Sequence, residues 1–250
     1  MEAAIFAVGF WWFRPCAVPG RIGPSTKMNS DGSPMKRFFS LLGLRRWRDV
    51  KQAEKDVYDN WAGTYDHSFW PVWLDRWVDA FAQDVPEGSS VVDIGCGTGN
   101  ALLHLSKTNP SLLAGIDISP RSIAVARAKL SGLSVDLRAG DAESDLPWPD
   151  ETFDVAVMNA AIHHFPEPEN VLRQALRVLK PKGRLIIADP FFFLPFLQIV
   201  NLLLKIYPLN GDLRFFSQKG LRNLVQRCGF QGVEQKRAAF LAKYTIGFKP

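Results

Sequence analysis

From about residue 51 onward the apolar positions follow helical and strand-like rhythms in turn. Val57, Tyr58, Trp61 and Tyr65 recur at i, i+1, i+4 and i+8, which predicts a helix over Lys51–Phe69. Trp73, Leu74, Trp77, Val78 and Phe81 predict a second amphipathic helix over Trp70–Gln83, ended by Pro86-Glu87-Gly88. Short apolar runs follow, at Val91–Ile94, Leu112–Ile118, Ser134–Arg138, Asp154–Asn159 and Arg184–Asp189, each read as a strand. Between them lie helical stretches at about 101–107, Arg121–Leu130 and Glu169–Leu179, the last with Val171, Leu172, Ala175, Leu176 and Leu179 on one face. Ser217–Cys228 reads as a helix capped by Ser217 and stopped by Gly229. Gln231–Phe240 and Lys243–Phe248 read as a closing antiparallel hairpin. Strand and helix in alternation predict an α/β fold, a doubly wound and mostly parallel sheet with helices on both faces.

The first strand runs into Asp93-Ile94-Gly95-Cys96-Gly97-Thr98-Gly99-Asn100. Glycines at alternate positions let the backbone turn sharply and admit a ligand at close range. A dinucleotide fingerprint, G-x-G-x-x-G, would need glycine at 100, where Asn100 stands, so the pyrophosphate reading loses. Asp93, ahead of the first glycine, suits a cationic or amino-bearing ligand better than a phosphate.

This stretch resembles the D/E-x-G-x-G-x-G motif of class I S-adenosylmethionine-dependent methyltransferases, and the resemblance extends from about Tyr58 to Gly247. It covers the methyltransferase type 11 domain and is nearest to the branch of ubiquinone and menaquinone biosynthesis. It carries further on Tyr58-Asp59-x-Trp61-Ala62-x-x-Tyr65-Asp66, on Leu146–Asp154 and on Leu176–Leu185 (LRVLKPKGRL). The resemblance implies a Rossmann-like sheet of seven strands, S-adenosylmethionine as cofactor, and an enzyme that methylates carbon or oxygen of a small, lipophilic acceptor. It assigns Asp93, Gly95, Cys96, Gly97 and Gly99 to the methionine part of the cofactor, Tyr65 to its methionine end or the acceptor, and Asn159 to the cofactor on the side that faces the acceptor. Asp117, followed by Ile118, lies about twenty residues past the turn, where an α/β fold puts an acid that accepts from ribose hydroxyls; a helix cap ahead of Ser119-Pro120 is the other reading of that region. Asp141 and the backbone of Ala142 are implied at the adenine edge.

Asn159-Ala160-Ala161-Ile162-His163-His164-Phe165 leaves the fourth strand where ligands bind in such sheets. The Asn-Pro-Pro-Tyr pattern of amino-group methyltransferases is missing. His163 and His164 are candidates for general-base work, because imidazole exchanges protons near neutral pH; a loop histidine bonded to backbone is the plainer alternative. Phe191–Leu204 (FFFLPFLQIVNLLL) is too short to span a membrane and is expected to form part of an apolar lid over about 190–212. Extra core is the competing explanation. A protein or RNA methyltransferase, and a catalytically idle cofactor-binding subunit, are the alternatives to small-molecule methylation.

Charge changes the picture at the N-terminus. Of 30 basic and 25 acidic residues, eight and two fall within residues 1–48, leaving 22 and 23 in the rest. The near-neutral body gives no nucleic-acid face. Residues 1–48 read as a basic extension, either partly disordered or an over-extended gene start, ahead of a methyltransferase domain at 49–250. The apolar Ala3–Phe13 lacks a basic flank and is a poor secretory signal. Met35–Lys51 mixes Phe38, Phe39, Leu41, Leu42, Leu44 and Trp47 with Lys36, Arg37, Arg45, Arg46 and Arg48, so peripheral membrane contact through 35–51 and 190–209 is an expectation. Cys16, Cys96 and Cys228 have neither disulfide nor metal spacing, which favours a reducing, cytoplasmic setting and no metal.

Overall fold

The protein's structure, a computed structural model, describes residues 47–67, 70–192, 195–206, 214–239 and 242–250. The N-terminal extension and most of the basic stretch at 35–51 therefore lie outside the described residues.

The apolar runs form strands because each can bury both faces. In chain order these are β1 (Ser90–Ile94), β2 (Leu112–Asp117), β3 (Asp136–Ala139), β4 (Phe153–Asn159), β5 (Leu179–Pro190), β6 (Gln231–Ala239) and β7 (Ala242–Phe248). They make one sheet in the order β3-β2-β1-β4-β5-β7-β6. The first five are parallel, and β7 pairs antiparallel with both β5 and β6. The expected doubly wound, seven-stranded, Rossmann-like sheet with its C-terminal hairpin is the observed fold. The helices are α1 (Trp47–Trp61), α2 (Trp70–Ala82), α3 (Asn100–Leu105), α4 (Pro120–Lys129), α5 (Pro168–Val178), α6 (Phe196–Ile206) and α7 (Gln218–Arg227). None of the described helices is long and apolar enough to cross a membrane.

Alternation along the strands builds two cores. Val92, Ile94, Ala114, Ile116, Ala156, Met158 and Ile187 face α5 and α7, where Val171, Leu172, Ala175, Leu224 and Val225 are fully or almost fully buried. Val91, Leu113, Val155, Val157 and Ile186 face the other way, against Val78 and Phe81 of α2, Leu102 and Leu105 of α3, and Ala126 of α4. Ser217 caps α7 as the sequence predicts, its Oγ accepting from Gly220 N–H at 3.0 Å.

Two boundaries differ from the sequence reading. The first helix stops at Trp61 instead of running to Phe69, and a 3₁₀ turn follows at Tyr65–His67. Gly63 weakens the helix there, and Thr64 turns back to donate its N–H to the Trp61 carbonyl at 2.9 Å. The fifth strand starts at Leu179, ahead of the expected Arg184, because the Lys182–Gly183 corner is tied to the chain end. Lys182 N–H donates to the Lys249 carbonyl at 3.2 Å, and Lys249 N–H to the Gly183 carbonyl at 2.8 Å.

Gly115 sits in the middle of β2 beneath the glycine-rich turn. A Cβ there would lie 2.8 Å from Leu102 Cδ1 and 2.9 Å from Cys96 Sγ. Substitution Gly115→Ala is therefore expected to lower stability by about 1–3 kcal/mol through overpacking. Denaturant unfolding measures this; an unchanged midpoint would show that the turn is not wedged on β2.

Candidate active site

The carboxyl ends of β1, β2 and β4 meet at the glycine-rich turn. The turn is held from below, with Gly95 N–H and Cys96 N–H both donating to the Ile116 carbonyl at 2.8 and 3.0 Å. Gly95 has φ +79°, and a Cβ on it would strike Ala161 Cβ at 2.8 Å. Gly97 also has positive φ, +51°, but a Cβ there would meet nothing within 4 Å. One glycine thus allows close packing on the β4 loop, and the other leaves an open face for a ligand. Thr98 and Asn100 are tied to a residue before α2. Both donate to Asp66 Oδ1, at 2.8 and 3.0 Å, and Lys129 pairs with Asp66 Oδ2 at 2.8 Å.

Two carboxyl groups border the turn. Asp93 is 1% exposed, and its Oδ1 is buried with no hydrogen-bond partner among the described residues. Burial, with the neighbouring Asp117 charge second, pushes its carboxyl up to about 8. Asp117 keeps part of its surface exposed, yet enclosure of the carboxylate raises it above the ordinary range. Two backbone donors orient it, Gly97 N–H to Oδ2 and Ser119 N–H to Oδ1, each at 2.9 Å. Ser119 caps α4, its Oγ accepting from Ser122 N–H at 3.0 Å, so the cap in this region is Ser119 and not Asp117. Ile118, between them, is half-buried. Burial beside Asp117 and Asp93 pushes the Cys96 thiol well up, so it is an inert group. Asn159 brings a second orphan to the same region: its Oδ1 is buried and without a partner among the described residues.

Asp141 and Ala142 follow β3. Burial alone would raise the Asp141 carboxyl, but hydrogen bonds from Lys51, Ser144 and the Glu143 N–H hold it below the usual carboxylate range. Lys51 Nζ, on α1, lies 2.6 Å from Asp141 Oδ2 and 2.5 Å from Glu143 Oε2. Ala142 is buried against the core. Helix α1 also reaches α4: Asp59 Oδ1 accepts from Ser119 Oγ at 2.5 Å.

At the ends of β4 and β5 the two histidines separate in role. Ala160 takes a left-handed φ of +52° and turns the chain into a 3₁₀ turn at Ile162–His164. His163, 4% exposed, places Nδ1 at 2.7 Å from Oδ1 of Asp189 on β5. Its ring lies 4.0 Å from the His164 ring and 4.8 Å from that of Phe215. Phe192 packs on Phe215 at 5.0 Å and on Phe196 at 5.6 Å. His164 Nε2 is 2.7 Å from the Tyr58 hydroxyl of α1.

The sequence reading thus found the turn, both strand-end acids and the histidines. It put Tyr65 at the methionine end of the cofactor or at the acceptor; the structure sets the Tyr65 ring 6.4 Å from that of Trp61 and brings the Tyr58 hydroxyl to the histidine loop. It assigned no role to Asp189, Asp66 or Lys51. An acid at the carboxyl end of a parallel strand is a usable signal for the first; Asp66 closes the Tyr58–Asp66 motif, but nothing local shows its partners or those of Lys51. Among the described residues no cluster of metal-ligating side chains occurs.

Comparison with known proteins agrees with this geometry. Residues 92–187 match the model of a methyltransferase domain family. The demethylmenaquinone methyltransferase of Desulfitobacterium hafniense is 29% identical over 234 residues, which is 81% of this chain and 92% of that protein. The 27-O-demethylrifamycin SV methyltransferase of Amycolatopsis mediterranei is 33% identical over 156 residues, 57% of either chain. This chain therefore spans little more than half of the latter. Among solved structures, an S-adenosylmethionine-dependent methyltransferase of Thermotoga maritima, described as a possible histamine N-methyltransferase, superposes with a TM-score of 0.62 at 23% identity, over 79% of this chain and all of that one. Its likeness bears on the fold. The motif, its geometry and these relatives lead to one assignment: residues 92–187 form a methyltransferase domain of the class I, S-adenosylmethionine-dependent kind.

Proposed function

We propose that this enzyme methylates carbon or oxygen of a small, lipophilic acceptor at the ends of β4 and β5. The observation that carries the reading is the buried His163–Asp189 pair beside Phe192 and Phe215, a proton-accepting group set in an aromatic wall. The relatives named for demethylmenaquinone and for a demethylated rifamycin support an acceptor of this kind. So does α6, whose Phe196, Ile199 and Leu202 are 37, 53 and 59% exposed and form an apolar surface beside the site.

The residues present fit S-adenosylmethionine. Two buried acceptor oxygens without partners, on Asp93 and Asn159, flank a turn whose Gly97 leaves open space. Such acceptors need a donor-rich, cationic ligand, and repel a pyrophosphate. Asp93 and the backbone of Gly95, Cys96, Gly97 and Gly99 would hold its methionine part, with Asn159 nearby. Asp117 and Ile118 would hold the ribose, and Asp141 with Ala142 the adenine. Tyr65 would close the methionine end. When bound, the cofactor supplies a methyl group already activated on a sulfonium.

The protein's remaining work is positioning and proton removal. His163, its Nδ1 held at 2.7 Å from Asp189 Oδ1, is the group proposed to take the acceptor's proton, and Asp189 would fix the ring and stabilise the imidazolium. His164, bonded to Tyr58, couples this loop to α1 and is the second candidate base. The alternative in which the acceptor is a protein or RNA has no comparable feature in its favour.

Two outcomes check the reading. Asp117→Ala should weaken S-adenosylmethionine binding about 10- to 100-fold, as loss of hydrogen bonds to a charged group implies, while thermal unfolding moves much less. Unchanged affinity by calorimetry rejects the ribose assignment. His163→Ala should lower kcat on a hydroxylated acceptor about 10²- to 10⁴-fold and remove the acid limb of the pH–rate profile, with cofactor affinity retained. Asp189→Asn should reduce kcat less than His163→Ala and reshape the same limb. A rate loss with an unaltered pH profile would make the pair structural only.

A further inference from the structure

We propose that Asp93 is a proton-exchanging selector: without ligand it holds a proton, and it gives that proton to solvent when a ligand bearing an ammonium group enters the turn. This rests on the assignment of the turn to the methionine part of the cofactor, and goes beyond it by making binding proton-coupled.

The geometry is specific. On β1, Asp93 is in register with Gly115 of β2 on one side and Val157 of β4 on the other. Two residues beyond each partner, at the same strand ends, stand Asp117 and Asn159. Asp93 thus has a second carboxylate, Asp117, and the Cys96 thiol as electrostatic neighbours, and Asn159, whose Oδ1 has no partner among the described residues, ends the adjoining strand. Asp117 already receives two backbone N–H groups, whereas Asp93 Oδ1 receives none among the described residues. Three lysines on the covering helices α1 and α4 pair with other carboxylates. Lys51 pairs with Asp141 and Glu143, Lys55 with Asp59, and Lys129 with Asp66.

A carboxylate that is 1% exposed, with no cation pairing to it among the described residues, is costly to keep charged, so the neutral acid is the stable form until a cation arrives. Its raised proton affinity, about 8, agrees with the geometry. An ammonium group then supplies both the missing donors and the missing charge. The Asp93 O–H bond breaks, the electron pair stays on the carboxylate, and the proton passes to water. A neutral ligand gives no such exchange.

The same enclosure fixes how stability depends on pH in the ligand-free protein. Asp93 is raised above its unfolded value near 4, so its contribution is complete below about pH 4 and is lost as pH rises to about 8.

Calorimetric titration at pH 6.5, in buffers of different ionisation enthalpy, counts protons released on binding. At that pH an α-amino group on the ligand keeps its own proton. S-Adenosylmethionine and S-adenosylhomocysteine should each release about one proton, and methylthioadenosine, which lacks the amino acid, about none. Asp93→Asn should bring the first two to about none. If Asn at this position impairs folding, the wild-type protein still answers: an infrared band of a buried, protonated carboxyl should be present without ligand and vanish with S-adenosylhomocysteine. Binding of S-adenosylmethionine without proton release, or release that survives Asp93→Asn, would overturn this proposal and leave the cofactor assignment standing. A folded protein that binds neither ligand would overturn both.

Discussion

Everything at the carboxyl end of the sheet follows from one constraint: polar groups that finish buried parallel strands must find partners, and here the protein supplies only part of them. Asp117 is satisfied by Gly97 and Ser119 N–H groups, Ser119 by its helix, and Asp189 by His163. Asp93 and Asn159 are left with buried acceptor oxygens. An unsatisfied buried polar atom costs on the order of 1–3 kcal/mol. The two cores below the turn hold that cost in place, because the strands carrying these residues are packed on both faces and cannot relax toward water. Binding energy for the ligand is in this sense prepared during folding.

The second feature is a roof built from ions on a floor built from apolar strands. Helix α1 and the turn after it contact the site through Lys51, Asp59, Tyr58 and Asp66, each reaching a different element of the sheet's carboxyl edge. These contacts are part-buried pairs and single hydrogen bonds, individually modest and sensitive to ionic strength. An element held that way can leave and return at small cost, while the glycine turn beneath, wedged between Gly115 and Ala161, cannot. Mobility over rigidity is what a cofactor that must enter and leave requires.

The acceptor side is aromatic where the cofactor side is polar. Phe192, Phe196 and Phe215 stack outward from His163, so the His163–Asp189 pair lies against a low-dielectric wall. In the proposed reaction, exclusion of water would favour proton transfer there, and the Asp189 carboxylate would offset the charge that develops on the ring.

Much of this was legible in the chain. The strand order's parallel core, the glycine turn, Asp93, Asp117, the Ser119 and Ser217 caps and the His163-His164 loop are all encoded locally. A strand end, a tight turn and a helix start leave their residue types within a few positions of one another. The limits of α1 and β5 were not legible, because Gly63 and Lys182 act through carbonyls and chain ends that local pattern does not show. Nor were the partners. Tyr58 meets His164 across 106 residues, Lys51 meets Asp141 across 90, and His163 meets Asp189 across 26. Sequence determined which groups exist at each strand end, since periodicity and turn chemistry are local. Only the tertiary structure decided which of them are paired and which are left for a ligand, because pairing depends on strand order and on which helix lies above.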